Sequence, residues 1–220
     1  MRPRAFRGAM VLGERMQRRL VAILAADVAG YSRLVALDEE RTISTLHRFR
    51  NELIDPGIDR YHGRIANTAG DSLLVEFPSV IEALRCAIEI QDGMDEKNAD
   101  APDDLQIRFR VGINIGDVVS QDDDLLGDGV NVAARLEALA GPGEIYLSRA
   151  ARDQVRDRMD IPLEDMGEVE VKNIPRPVRV FRVSRNAAPG AMVRQRAPGK
   201  SRRILAGLIL GVTVAAGALL

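Results

Sequence analysis

The sequence predicts an α+β fold: a ferredoxin-like βαββαβ core, with helices on one face of a mostly antiparallel sheet, and a C-terminal transmembrane helix. Two observations support this prediction. Hydrophobic patterns follow the order strand, helix, hairpin, helix, strand, which is the order of a βαββαβ unit. Residues 204–220 then form an apolar run without a charged side chain, roughly 25 Å long as a helix and so at the short end of a membrane span.

The first half of the chain supplies the βαββαβ unit. Residues 20–26 are continuously apolar and predict a central strand over 18–26 that is buried on both faces. The following segments show the periods of helices and strands. They are a helix over 38–60 that ends near Pro56 and Gly57, a hairpin over 64–77, a helix over 78–95 and an alternating strand over 106–120.

The second half of the chain adds two helices and three strands. A helix over 129–140 has Asp128 as its expected N-cap and ends at the Gly-Pro-Gly sequence of 141–143. A short strand over 144–147 leads to Ser148, which is expected to cap a helix that ends near residue 158. Two late strands, near 161–166 and 178–183, complete the domain.

The composition excludes several classes of function. The chain has 220 residues and a net charge of −1, which suits one domain with tails and does not suggest a broad nucleic-acid-binding surface. Its single cysteine, Cys86, rules out an internal disulfide and a cysteine-rich zinc site. Its two histidines, His47 and His62, are not at metal-ligand spacing, so zinc-protease chemistry and a histidine-based triad have little support.

The chain divides into four segments. Residues 1–17 are expected to be a disordered extension, 18–184 the folded domain, 185–203 a basic linker and 204–220 a transmembrane helix. Five basic side chains lie between 194 and 203, so the positive-inside rule predicts a cytoplasmic domain at the inner membrane. The alternative for the apolar run is a buried amphipathic helix.

Four polar residues suggest the chemistry. Asp27 follows the apolar strand, and Asp71 lies in the predicted hairpin turn. Two carboxylates held at a surface cleft can bind Mg²⁺, and Mg²⁺ brings phosphates. Arg135 lies one helical turn after Asn131 and can reach a developing phosphoryl charge from the same helix face. Taken singly, each residue also fits an ordinary role as a turn residue, a strand-end cap or a solvated helix residue.

Four segments of the chain resemble a known family when they are taken together. They are ADVAGYS at 26–32, AGDSLLVEF at 69–77, RVGINIG at 110–116 and GDGVNVAAR at 127–135. In this order and spacing they resemble the class III nucleotidyl cyclases, the adenylate and guanylate cyclase family. The similarity covers about 18–183 and is greatest to bacterial, rhizobial-type members, which often carry a membrane segment after the domain.

This resemblance implies roles for most of the site. Asp27 and Asp71 would bind two Mg²⁺ or Mn²⁺ ions per site, while Asn131 and Arg135 would orient the ribose and stabilise the pentavalent phosphorus. Lys172 would hold the terminal phosphates. The backbone that would face the triphosphate belongs to Val28, Ala29, Gly30 and Tyr31.

The position that reads the base departs from the family pattern. Asp124 lies seven residues before Asn131, where adenylate cyclases usually carry an Asp or Thr that reads the base. Asn67 lies where adenylate cyclases usually carry a Lys and guanylate cyclases tend to carry a Glu. The Asn67 amide can still donate a hydrogen bond, but the asparagine side chain is shorter than that of lysine and carries no charge.

The resemblance implies conversion of ATP to cyclic AMP and pyrophosphate for intracellular signalling, at active sites shared across a homodimer. Asp27 and Asp71 would come from one subunit and the remaining side chains from the other. The C-terminal helix would attach the protein to the membrane, and no nucleic-acid partner is expected. The alternative is a catalytically degenerate cyclase homology domain that binds a nucleotide or a partner, for which Asn67 is the only support. A more remote alternative is a diguanylate cyclase, which is discounted because the chain lacks the Gly-Gly-Asp/Glu-Glu-Phe signature of those enzymes.

Overall fold

The part of the chain that the structure describes, residues 18–121, 124–170 and 177–185, folds around one eight-stranded sheet in a computed structural model. The strands are β1 (Arg18–Val28), β2 (Arg64–Ala69), β3 (Ser72–Phe77), β4 (Phe109–Gln121), β5 (Asp124–Leu126), β6 (Ile145–Ser148), β7 (Leu163–Val169) and β8 (Val178–Val183). The helices are α1 (Tyr31–Leu37), α2 (Glu39–Phe49), α3 (Asp55–Arg60), α4 (Val80–Asn98), α5 (Asp128–Leu139) and α6 (Arg149–Val155).

The strands follow the order β2-β3-β1-β4-β6-β8-β7, and β5 pairs with β4. Within this order β4 and β6 are parallel, and the other neighbouring pairs are antiparallel. The four strands β4-β1-β3-β2 contain the βαββαβ unit, because helices connect β1 to β2 and β3 to β4. Strand β1 therefore lies inside the sheet, with a hydrogen-bonded neighbour on each side.

Helices cover both faces of this sheet, so the prediction of helices on one face is wrong. Alternate residues of β1, such as Leu24 and Ala26, pack into the large core that also contains buried residues of α4. The residues between them, such as Ile23 and Ala25, form a second cluster with Ala133 of α5. A strand buried on both faces, as its continuous apolar run predicts, needs a helical layer on each side.

Helix α5 lies very close to β4 because glycines of β4 leave room for the helix backbone. A Cβ atom at Gly112 would overlap the carbonyl oxygen of Ala133 and the amide nitrogen of Glu137. Further along, a Cβ atom at Gly116 would lie 2.9 Å from the Cα atom of Gly129. A side chain at either β4 position would push the helix away from the sheet.

Asn114 fixes the register of the same contact. Its buried Nδ2 donates a hydrogen bond to the carbonyl oxygen of Gly129 at 3.0 Å. A buried amide without a partner would be costly, so this bond favours one position of α5 along β4.

The helical segment after β1 continues through Pro56, where the sequence predicts its end. Five residues in a π-helical turn, Arg50–Ile54, join α2 to α3. Pro56 then lies in the first turn of α3, where its missing N–H is not needed. Gly57 is buried in α3 and lies near Ile90 of α4.

Several local signals in the sequence are confirmed, and others are corrected. Ser148 caps α6, as predicted, by accepting a hydrogen bond from the backbone N–H of Ala151 at 3.1 Å. The N-cap of α5 is Gly127 rather than Asp128, which is the first residue of the helix. Asp124, the predicted base-reading residue, begins the short strand β5. Helix α1 is not among the predicted elements.

The predicted fold class is also wrong in including a C-terminal transmembrane helix. Within the ranges that the structure describes, no helix has both the length and the apolar character needed to cross a bilayer. Residues 204–220, like the predicted N-terminal extension 1–17 and residues 186–203 of the predicted linker, lie outside those ranges. The fold that the structure describes is a mixed α+β domain.

Candidate active site

The topology brings Asp27 and Asp71 together at one end of the sheet. Asp27 lies near the end of β1, and Asp71 lies in the tight turn between β2 and β3, after Gly70 with its φ of 64°. The antiparallel register of β1 and β3 has Ala26 opposite Leu73. The next residues of both strands, including the two aspartates, therefore meet beyond this pair. We call Asp27 and Asp71 the carboxylate pair.

Burial and the interaction between the two carboxyl groups shift their pKa values in opposite directions. Burial and the neighbouring Asp27 raise the pKa of Asp71 to about 6. Burial also opposes ionisation of Asp27, but hydrogen bonds from Asp71, Arg110 and Ser72 hold the pKa of Asp27 below its ordinary value. In the absence of a cation, Asp71 therefore keeps its proton to a higher pH than Asp27 does.

Arg110 links the carboxylate pair to helix α5. It lies opposite Asp27 on β4, and its Nη2 donates a hydrogen bond to Asp27 Oδ2 at 2.6 Å. The same nitrogen lies 3.0 Å from Glu137 Oε1 of α5. The Glu137 side chain is only 13% exposed, and burial raises the pKa of its carboxyl group to about 7 despite the nearby guanidinium.

The backbone from Val28 to Tyr31 forms a sharp turn beside Asp27. Gly30 has a φ of 70°, a left-handed conformation that favours glycine, and its carbonyl oxygen accepts the first hydrogen bonds of α1. The backbone N–H of Ala29 donates to the carbonyl oxygen of Arg108 at 2.8 Å, which fixes the turn to the chain before β4. The predicted triphosphate-facing backbone is thus next to the carboxylate pair.

Asn131 and Arg135 lie together on the exposed face of α5, one turn apart. Among the described residues, neither side chain makes a hydrogen bond or an ion pair. At about 100° per residue, Arg135 is roughly 200° around the helix from Glu137, whose side chain contacts Arg110 beside Asp27. One chain therefore turns Arg135 away from its own carboxylate pair. We call Asn131 and Arg135 the α5 face.

The structure describes the predicted base-reading and phosphate-holding residues only in part. Asn67 is exposed on β2, opposite Leu74, directly after an irregularity in the β2–β3 register. It belongs to the same hairpin as Asp71. Asp124 begins β5 next to β4, and Lys172 lies outside the described residues.

The sequence analysis missed Arg110, Glu137 and Ser72. Ser72 Oγ donates to Asp27 Oδ1 at 3.3 Å, and the other two residues form the bridge to α5. Cross-strand partners depend on the register, which a single strand does not reveal. One signal was available, because Arg110 is a charged residue between the buried Phe109 and Val111.

The carboxylate pair fits a divalent cation. Two carboxylates that share a proton can take up a cation in its place, and hard oxygen ligands suit Mg²⁺ and Mn²⁺. In the described parts of the chain, no group of three or more His, Cys, Asp or Glu side chains could hold a metal ion. Further ligands at this pair would therefore be water, backbone or substrate oxygens.

Comparison with known proteins identifies the family of this chain. The family model for the adenylate and guanylate cyclase catalytic domain matches residues 14–184. The chain belongs to this family, and the resemblance inferred from the four sequence segments is confirmed.

Individual relatives support the same assignment. The chain is similar to the Rhizobium meliloti (strain 1021) protein named "Putative adenylate cyclase 3", with 47% identity over 168 residues that cover 76% of this chain and 29% of that protein. It thus spans well under two thirds of this relative. An adenylate/guanylate cyclase/hydrolase from Silicibacter pomeroyi has a crystal structure that matches with 47% identity and a TM-score of 0.72, covering 78% of this chain and 99% of that one. The adenylyl cyclase CyaB from P. aeruginosa matches with 25% identity and a TM-score of 0.69, covering 78% and 96%.

Proposed function

We propose that this chain converts ATP to cyclic AMP and pyrophosphate for intracellular signalling, at active sites shared between the two subunits of a homodimer. The observation that carries the proposal is the carboxylate pair, in which burial and like charge raise the pKa of Asp71 to about 6. Family membership supports cyclisation of a nucleoside triphosphate. The names of the R. meliloti and P. aeruginosa relatives support ATP as the substrate.

In this proposal the carboxylate pair holds two Mg²⁺ or Mn²⁺ ions. When bound, such ions would lower the pKa of the ribose 3′-hydroxyl and neutralise charge on the phosphates. Ser72 orients Asp27 through its hydrogen bond. The turn over 28–31 offers its backbone to the triphosphate. Attack of the 3′-hydroxyl on the α-phosphorus needs no strong protein base, which agrees with His47 lying in α2 and His62 pairing with Glu82.

The α5 face would serve the site of the partner subunit. Arg135 would stabilise the phosphoryl oxygens, where charge increases in the transition state, and Asn131 would orient the ribose. Arg135 turns away from the carboxylate pair of its own chain, so a lone chain would lack a complete site. This geometry supports a two-fold dimer that brings one subunit's α5 face to the other subunit's carboxylate pair.

The base pocket of the proposal rests on residues whose roles stay predictions. Asp124 would accept a hydrogen bond from the adenine amino group, and Asn67 would donate one to the ring. Lys172 would hold the terminal phosphates. The cytoplasmic location of the domain likewise stays a prediction.

The decisive experiment is product identification. We expect the purified 220-residue chain to form cyclic AMP and pyrophosphate from ATP and Mn²⁺, as identified by mass spectrometry. Asp27→Ala and Asp71→Ala should each lower the rate by about 10³-fold or more, because a site that lacks a metal ligand loses the cation's stabilisation of the transition state. Asp100→Ala, which removes an exposed aspartate after α4, is the matched control and should keep the wild-type rate.

Two results would contradict the proposal. A wild-type rate in either carboxylate-pair variant would show that the pair does not hold the catalytic metals. Nucleotide binding without any cyclic product, under all metal conditions, would favour the degenerate cyclase homology domain instead. Thermal unfolding of each variant, followed by circular dichroism, would show whether a lost rate reflects a lost fold.

A further inference from the structure

The Arg110 guanidinium contacts two carboxylates but forms a hydrogen bond with only one of them. Its Nη2 donates to Asp27 Oδ2 at 2.6 Å, whereas its 3.0 Å contact with Glu137 Oε1 lacks hydrogen-bond geometry. Glu137 Oε1 and Arg110 Nε are both buried, and neither has a hydrogen-bond partner among the described residues. Glu137 is therefore an unused acceptor within reach of Arg110.

This arrangement creates competition at Asp27. A guanidinium that is hydrogen-bonded to a carboxylate opposes the binding of a second cation there, through charge and through occupation of a ligand oxygen. A cation at Asp27 would cost less if Arg110 could move its hydrogen bond to another carboxylate. Glu137 is that carboxylate, already in contact and held by a helix that glycines seat against β4.

We propose that Glu137 is a positioning residue: it accepts the hydrogen bond of Arg110 when a divalent cation binds to Asp27. Glu137 thereby sets the cation affinity of the carboxylate pair. This inference rests on the proposed function, since it assumes that the pair is a metal site. It does not depend on the proposed role of the α5 face, because Glu137 lies roughly 200° around the helix from Arg135.

Direct Mn²⁺ binding tests the inference without an activity assay. The full chain is titrated with Mn²⁺ at pH 8, above the raised pKa values of Asp71 and Glu137, and free Mn²⁺ is measured by electron paramagnetic resonance. We expect Glu137→Gln to weaken Mn²⁺ binding about fivefold or more, because Arg110 is left with Asp27 as its only carboxylate. Asp128→Asn removes an exposed carboxylate from the same helix and should change the affinity less than about twofold.

A double-mutant cycle separates positioning through Arg110 from a simple effect of charge. In an Arg110→Gln background, Glu137→Gln should weaken Mn²⁺ binding only about twofold or less, because no guanidinium remains to be accepted. An effect of charge alone would be at least as large in that background, since no cation would lie between Glu137 and Asp27. If Arg110→Gln does not fold, Arg110→Met, which keeps an apolar stem, is used as the background instead.

The outcomes distinguish this inference from the proposed function. Asp27→Ala should abolish Mn²⁺ binding; if it does not, both the metal site and this inference are wrong. If Asp27→Ala abolishes binding but Glu137→Gln binds Mn²⁺ like the wild type, the metal site stands and the positioning role is wrong. An equal or larger effect of Glu137→Gln in the Arg110→Gln background also overturns the positioning role.

Discussion

The carboxylate pair and the α5 face differ in how far their side chains are satisfied within one chain. Asp27 receives hydrogen bonds from Asp71, Arg110 and Ser72. The side chains of the α5 face, by contrast, form no hydrogen bond or ion pair with any described residue and lie exposed on the helix.

This difference reflects the contacts that position each half of the proposed site. The carboxylate pair is positioned by strand register and by the turn before β3, so it is formed by folding of the single chain. The α5 face is positioned only through the opposite side of its helix, where Gly112 and Asn114 seat it on β4. In the proposed dimer, its exposed side chains would meet the partner subunit.

The largest expected effect comes from mixing two inactive variants. Asp27→Ala and Arg135→Ala should each lack activity alone, because each homodimer has two defective sites. After subunit exchange, half of the dimers should contain one intact site, and the mixture should regain about a quarter of the wild-type rate. Cyclic AMP formation before and after mixing measures this recovery.

A second mixture is the control for this experiment. Asp27→Ala mixed with Asp71→Ala damages the carboxylate pair of both subunits, so no intact site can form and no activity should return. Recovery in both mixtures, or in neither when subunit exchange is demonstrated by native mass spectrometry, would contradict the division of the site between subunits.

The sequence contains the parts of each half but not the contacts between them. The continuous apolar run of β1 predicts burial on both faces, and the alternation from Ile107 to Ile115 predicts the face that β4 turns to the large core. The position of α5 on the second face depends on Gly112, which in the sequence is only one more small residue. The Asp27–Arg110 contact depends on strand register, which is set by the whole sheet.

The wrongly predicted helix end at Pro56 also depends on tertiary contacts that the sequence does not reveal. A proline normally predicts the end of a helix, and the local pattern offers no reason to continue. The π-helical turn before α3 allows the helix to restart with Pro56 in its first turn, and burial of Ile58 in the large core stabilises that arrangement. These are tertiary contacts, which residue spacing does not encode.

A second prediction tests whether the exposed part of the β2–β3 hairpin extends the site. Asn67→Lys should raise kcat/KM for ATP and leave the value for GTP little changed, because it restores a charged donor to adenine. One charge-assisted hydrogen bond contributes on the order of 1.5–3 kcal/mol, or roughly 10- to 150-fold. Thr68→Lys adds the same charge at the next exposed position of β2 and should not change ATP selectivity. Lower ATP turnover in Asn67→Lys, or a wild type that prefers GTP, would contradict this account of the pocket.

A third prediction concerns the contact that orders the α5 face. Gly112→Ala should lower the free energy of unfolding by about 1–3 kcal/mol, because its Cβ overlaps backbone atoms of α5 that cannot move independently. Gly57→Ala is the matched control, because its Cβ would lie at an ordinary contact distance of 3.6 Å from Ile90 of α4. Alanine is favoured over glycine within a helix, so this variant should raise the free energy of unfolding by about 0.5–1 kcal/mol. Urea unfolding measures both. Equal stability of Gly112→Ala and the wild type would show that α5 is not seated on β4 as described.

The smallest expected effect tests the repulsion within the carboxylate pair. Asp71 has its pKa raised from 3.8 to about 6 in the folded protein, so its contribution to stability is present at low pH and is lost as pH rises through about 6. Asp71→Asn keeps a neutral side chain at every pH. Without metal at pH 8, this variant should therefore unfold at a temperature about 1–3 °C higher than the wild type, a small effect because solvent screens a partly exposed carboxylate.

Two changes of condition should remove or reverse this difference. At about pH 3, below the pKa of 3.8 that Asp71 has in the unfolded chain, the carboxyl group is protonated in both the folded and the unfolded state, so the difference between the two unfolding temperatures should nearly disappear. Saturating Mn²⁺ at pH 8 should stabilise only the wild type, because a ligand that binds the folded state raises its stability and the Asp71→Asn variant lacks the carboxylate that the metal needs. Differential scanning calorimetry with EDTA or Mn²⁺ measures each case. A wild type that is the more stable protein at pH 8 in EDTA would mean that the two carboxylates do not repel each other, and the main physical argument for a cation at this end of the sheet would be lost.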